Sequence, residues 1–176
     1  TQLQSSAASD VYKRQLRPPD FNEFQRISKL KSIDLGEDGV FIIQNEDWAF
    51  DAIGLPVHGG RQLENIEYEV VQSVTSQTTE NMSVSSSIVL DLWKRGLNTR
   101  SGFKYGTKWR CYPSGVGEGH APWLVVDPSS DNPKNWAEAC LSSRLASGVN
   151  KHWLYPINDR ANGWRYLQIS LSLIHI

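Results

Sequence analysis

Residues 108–126, KWRCYPSGVGEGHAPWLVV, leave little freedom in how they fold. Two apolar, strand-like runs flank a loop that carries Gly115, Gly117 and Gly119. Such runs joined through a glycine-bearing loop pair as a hairpin. Tyr112 closes the first run and His120 opens the second, so the hairpin brings a phenol and an imidazole to one sheet edge. Cys111 neighbours Tyr112, and successive strand residues point to opposite faces. If Tyr112 faces a cleft, Cys111 faces the core.

The flanking sequence builds a domain around this hairpin. Val84, Ile88, Val89, Leu92 and Trp93 fall on one helical face. Gly96 ends that helix, with Lys94 and Arg95 where cations favour the helix dipole. RSGFKYG (100–106) reads as a turn into the strand TKWRCY. After the strand HAPWLVV and the loop DPSSDNPK, Asn135 caps a helix, WAEACLSSRLASG, that stops at Gly148. Strand KHWLYPI, turn NDRANG and strand WRYLQI follow. The order is helix, two strands, helix, two strands, which predicts a mixed sheet with helices packed on it. Trp93, Trp136 and Trp153 are expected in its core.

Residues 16–75 read as a small N-terminal α/β unit. GVFII (39–43) is a short strand, Asn45 caps a helix through NEDWAFDAIG, LPVHGG is a connector, and IEYEVV is a strand or short helix edge. The polar, Ser/Thr-rich stretch 73–87 places a linker at 76–86. Residues 1–15 and 170–176 resemble peptides translated from sequencing-adapter DNA. They are expected to be a non-native head and tail on a fragment, and carry no functional weight. No stretch approaches the roughly 18 apolar residues of a membrane span, so a soluble, intracellular chain is expected. Cys111 and Cys140 lack metal-site spacing; a disulfide and two core thiols both remain open, with thiols favoured.

The net charge of −1 conceals an asymmetry. Residues 16–90 hold five Lys/Arg against twelve Asp/Glu, and residues 91–176 hold eleven against six. A basic half suggests an anionic partner, with nucleic acid the first candidate.

Several chemistries fit poorly. Asp127 and Asp131 are close in sequence, but a metal-dependent nuclease needs clustered carboxylates, and the next strand supplies none. GVGEGH lacks the Gly-Lys-Ser/Thr of a phosphate-binding loop and lies between strands. A nucleophilic Cys111 would need a base on its own face. Tyr112, His120 and Lys151 remain. Lys151 opens the strand after the second helix, so the three can meet.

DLWKRG (91–96), SGFKYG (101–106), WRCYPSG (109–115), GHAPWLVV (119–126) and SRLASGVNK (143–151) together carry a resemblance. In this order they are similar to the catalytic domain of tRNA-splicing endonuclease subunits. The YPSG turn and the spacings look most like the smaller eukaryotic catalytic subunit, which cuts the 3′ splice site. Gly148 stands where the family tends to have Ser, and Asn150 where a basic residue is common. The implied fold is α+β or mixed α/β: the N-terminal unit, then a nuclease-like domain over 87–169 with a mixed sheet flanked by helices. The implied activity is cofactor-free, metal-independent cleavage of precursor tRNA, in which a 2′-hydroxyl attacks its own 3′ phosphate. The products are a 2′,3′-cyclic phosphate and a 5′-hydroxyl. Tyr112 would be the base, His120 the acid and Lys151 the charge stabiliser. A phenol, with an ordinary pKa of roughly 10, is a poor base at neutral pH. A neighbouring ammonium favours phenolate, one reason to want Lys151 close.

Arg110, Lys108, Lys104 and Arg144 are candidates for RNA contact, with Arg110 first because it shares Tyr112's strand face. The implied partners are precursor tRNA and other splicing-endonuclease subunits in a nuclear heterotetramer, joined through the C-terminal strands, with no membrane. Two alternatives stand beside this: a non-catalytic structural subunit of the same assembly, and a stand-alone RNA-binding module.

Overall fold

The computed structural model describes residues 31–34, 41–44, 54–57, 60–76, 78, 81–113, 119–159, 161 and 163–169. The proposed head and tail, and the expected Asn45 helix as far as Ile53, lie outside them. The chain forms two compact units, one up to Asn98 and one built from Thr99–Tyr112 and Gly119 onward.

In the first unit β1 (Lys31–Asp34), β2 (Phe41–Gln44), β3 (Leu55–Val57) and β4 (Gly60–Leu63) form a sheet in the order β1-β2-β4-β3. The strand expected in GVFII is β2, while LPVHGG, expected as a connector, contributes to the antiparallel pair β3–β4. Gly54 ahead of β3 has φ +68, and a Cβ there would come within 2.6 Å of the Gln62 carbonyl oxygen, so this close approach requires glycine. IEYEVV belongs to α1 (Asn65–Ser76). Glu67 starts it by accepting from the Glu64 backbone N–H at 3.1 Å, as an acid three residues past a helix cap does.

Helix α2 (Val84–Lys94) buries Ile88, Val89, Leu92 and Trp93 on the expected face, but Val84 is exposed. Ser83 caps it, accepting from the Ser86 N–H. Glu69 of α1 takes the Ser83 N–H at 2.6 Å and the Ser83 and Ser86 hydroxyls at 2.8 and 2.6 Å, tying α1 to α2. Ser76 belongs to α1 and Val84–Ser86 to α2, so the ends of the expected 76–86 linker lie within these two helices.

The second unit centres on a five-stranded mixed sheet in the order β5-β6-β7-β8-β9: β5 (Asn98–Ser101), β6 (Trp109–Tyr112), β7 (Trp123–Val125), β8 (His152–Asp159) and β9 (Gly163–Ile169). This is the mixed α+β class expected. The β6–β7 hairpin is antiparallel, β7 and β8 are parallel, and β8–β9 is antiparallel. A parallel pair needs a crossover, which α3 (Trp136–Gly148) supplies. Asn135 caps α3 as predicted, accepting from the Glu138 N–H at 2.9 Å. Small residues Ala139, Ser143 and Ala146 line its buried face, and Leu124, Val126 and Trp153 complete the core. Trp136 departs from expectation. It is 67% exposed, because it opens α3 ahead of the residues that reach the sheet. Arg100 and Ser101, the first two residues of the RSGFKYG turn, belong instead to β5, whose sequence NTRS has no apolar alternation to reveal it.

Candidate active site

Tyr112, His120 and Lys151 lie at one end of the three central strands. Tyr112 is the last residue of β6, one step beyond the Cys111–Trp123 pair. His120 lies three residues before β7 begins, and is solvent-exposed. Lys151 directly precedes β8, whose first residue pairs with Trp123. The His152 N–H donates to the Pro122 carbonyl at 2.8 Å, extending the β7–β8 ladder to this end.

The end of α3 delivers Lys151. The Lys151 N–H donates to the Ala146 carbonyl at 2.9 Å, and the Asn150 N–H donates to Ser147 at 3.1 Å. Asn150 has φ +54. These two bonds around one left-handed residue make a Schellman turn, and asparagine tolerates that conformation better than most residues. Asn150 thus has a backbone task here. Space beside Gly148 is open, so nothing steric demands glycine there.

Lys151 is 8% exposed, yet its ammonium has defined surroundings. Nζ donates to the Ala121 carbonyl at 2.5 Å, one residue past His120. It also sits 5.1 Å from the ring centroid of Tyr105. Tyr105 is the residue that sequence reasoning missed. Tyr112 is itself 7% exposed, and the Arg110 guanidinium lies 5.8 Å from its ring centroid, so these two share a face as the alternation implied. Arg110 Nε is buried and donates no hydrogen bond among the described residues. Lys104 is exposed in the 3₁₀ turn Phe103–Tyr105, Lys108 is half-buried before β6, and Arg144 is exposed on α3.

The other chemistries find different settings. Cys111 has no exposed surface, and burial pushes its thiol up to about 12, so the nucleophilic thiolate is suppressed. Both cysteines are free thiols. Asp127 is 1% exposed and serves its own loop, accepting from the Ser129 N–H and hydroxyl at 2.9 and 2.6 Å. Among the described residues no three His, Cys, Asp or Glu cluster as a metal site would require. A cavity of about 390 Å³ lies between the 130–133 loop and α3, lined by Asp131, Asn132, Glu138, Leu141 and Trp153; Tyr112, His120 and Lys151 do not line it.

Residues 84–166, from the start of α2 into β9, match the family described as tRNA intron endonuclease, catalytic C-terminal domain. They belong to the tRNA intron endonuclease family. Over 120 residues the chain is 32% identical to a tRNA-splicing endonuclease of Picrophilus torridus, covering 68% of this chain and 37% of that protein. It is 28% identical over 97 residues to the tRNA-splicing endonuclease of Saccharolobus islandicus, covering 55% of this chain and 53% of the relative. The Saccharolobus solfataricus protein is 26% identical over 103 residues, with 58% and 57% covered. The chain thus spans little more than half, or less, of these relatives' lengths. Within the endonuclease domain the match begins at α2, although α2 packs in the first unit. Among the described residues no helix is long and apolar enough to cross a membrane.

Proposed function

We propose that this chain is a catalytic subunit that cleaves precursor tRNA at an intron–exon junction, the 3′ one, within a hetero-oligomeric nuclear assembly. The observation that carries the reading is the bond from the Lys151 ammonium to the Ala121 carbonyl. It ties the start of β8 to the segment holding His120, at the sheet end where Tyr112 closes β6. A cation, an imidazole and a phenol at one sheet end are the groups that metal-free transphosphorylation uses.

In the reaction the Tyr112 oxygen takes the proton of the ribose 2′-hydroxyl as O2′ bonds to phosphorus. The P–O5′ bond breaks, and His120 gives its proton to the departing 5′ oxygen. Lys151 faces the charge that accumulates on the phosphorane. The products are a 2′,3′-cyclic phosphate and a 5′-hydroxyl. Arg110, Lys108, Lys104 and Arg144 hold the RNA backbone.

The test is cleavage of an intron-containing precursor tRNA, in EDTA, by the assembly reconstituted around this chain. Cutting with cyclic-phosphate ends is expected, and His120→Ala should lose roughly 10²-fold or more. Cleavage that stops in EDTA points to a metal-dependent reaction instead. RNA affinity without cleavage, unchanged when Tyr112 and His120 are replaced, makes the chain a binding module.

A further inference from the structure

The five-residue motif Gly102-Phe103-Lys104-Tyr105-Gly106 contains two aromatic residues, and the fold treats them oppositely. Phe103 is 89% exposed. Tyr105 is half-buried, packed against the cluster of Leu124, Val126, Ala139, Ala146 and Trp153. The turn enforces the difference. The Tyr105 N–H donates to the Gly102 carbonyl at 2.7 Å, and the Gly106 N–H donates to Phe103 at 3.0 Å. The Gly102 N–H donates to the Lys108 carbonyl at 2.8 Å, strapping the turn onto the strand that follows. A Cβ on Gly102 would fall within 2.6 Å of Thr107 Oγ1 and 2.8 Å of both the Thr107 carbonyl oxygen and the Trp109 carbonyl carbon. Gly106 leaves the turn at φ +67. Both glycines serve to present one ring in one place, and that ring lies 5.1 Å from Lys151 Nζ.

We infer that Tyr105 is a positioning residue that holds the Lys151 ammonium in its working place through the face of its ring. This rests on the reading of Lys151 as the cation that faces the phosphate. A lysine head on four rotatable carbons loses considerable rotamer freedom when fixed. The Ala121 carbonyl engages one of its three hydrogens. One bond sets a distance but leaves the head free to swing about it. An aromatic face within about 6 Å attracts an ammonium. It adds a second constraint without consuming a donor, so the remaining hydrogens stay available to a phosphate.

The π face, not the hydroxyl, carries this role, which gives the test its form. In the reconstituted assembly Tyr105→Phe should cleave precursor tRNA within about twofold of wild type. Tyr105→Leu should lower kcat roughly tenfold with KM changed less than about twofold. Tyr105→Met, apolar and flexible, is measured alongside it, with thermal unfolding of each, so that a folding defect in one variant does not stand for the result. A second readout needs no substrate. In the full chain, the ε-methylene protons of Lys151 should resonate upfield of those of exposed lysines through the ring current. That displacement should persist in Tyr105→Phe and vanish in Tyr105→Leu and Tyr105→Met. A wild-type rate in folded Tyr105→Leu or Tyr105→Met beside an inactive Lys151→Ala overturns the inference and leaves the role of Lys151 standing. Wild-type rates in all of them overturn the functional reading, and the inference with it.

Discussion

Cys111 is flanked on β6 by Arg110 and Tyr112, and it has no surface exposed to solvent. With its thiol pushed up to about 12 by burial, almost none is thiolate at neutral pH. Cys140, half-buried on α3, differs. A thiol reagent at pH 8 should therefore titrate one cysteine per native chain and two after denaturation. Rapid reaction of both in the native state would show that β6 opens readily. Strand alternation made the opposite facing of Cys111 and Tyr112 legible in the sequence, and the Arg110–Tyr112 contact agrees with it. Alternation did not reveal that both faces are covered, since Tyr112 is 7% exposed. Nor could it choose between Phe103 and Tyr105. Their inward and outward settings depend on a 3₁₀ turn closed by a left-handed glycine, and no periodicity encodes that.

At the level of elements, caps were readable wherever one side chain makes one local bond. Asn135 and the stop at Gly96 follow from short-range chemistry. IEYEVV was ambiguous because a six-residue run fits both periods, and its place in a helix is set by tertiary packing. The α1–α2 pair is joined through Glu69, a link between residues 14 and 17 apart that no local pattern announces. Burial opposes ionisation of this carboxyl, but the bonds from Ser86 and Ser83 outweigh it and hold it below the ordinary 4.5. Because the folded carboxylate is the harder to protonate, it stabilises the fold fully above pH 4.5. That contribution is lost as pH falls through the lower folded value. Glu69→Ala should cost about 1 kcal/mol at pH 7, solvent screening keeping the figure modest. Urea unfolding at pH 7 and at pH 3 checks this: the gap between wild type and variant should narrow in acid. An equal gap at both values would mean that packing of the side chain, rather than its charge, joins the helices.

The excess of positive charge lies where the chemistry is proposed: the second unit holds nine Lys/Arg against four Asp/Glu. Lys104, Lys108, Arg110, Arg144 and Lys151 all belong to the second unit, the one built around the mixed sheet. The net charge of −1 would not suggest a polyanion partner; only the division along the chain does. Binding of RNA by such a surface releases counterions. The logarithm of affinity then falls linearly with the logarithm of salt, by about 0.7 per neutralised phosphate on single strands and about 0.9 on duplex. Replacing Lys104, Lys108, Arg110 and Arg144 together by Gln, with His120 and Lys151 kept, should reduce the magnitude of that slope by about 3 for precursor tRNA. Filter binding by the assembly from low to moderate salt measures it. Lower affinity with an unchanged slope would assign these four side chains to the fold rather than to phosphate. Arg110 is the one most exposed to that outcome, since its guanidinium already rests near the Tyr112 ring and its Nε is buried. Arg110→Gln alone therefore separates the two roles. A slope lower by about 0.7–0.9 with intact thermal stability marks a phosphate contact, whereas an unchanged slope with lowered stability marks a side chain that supports Tyr112.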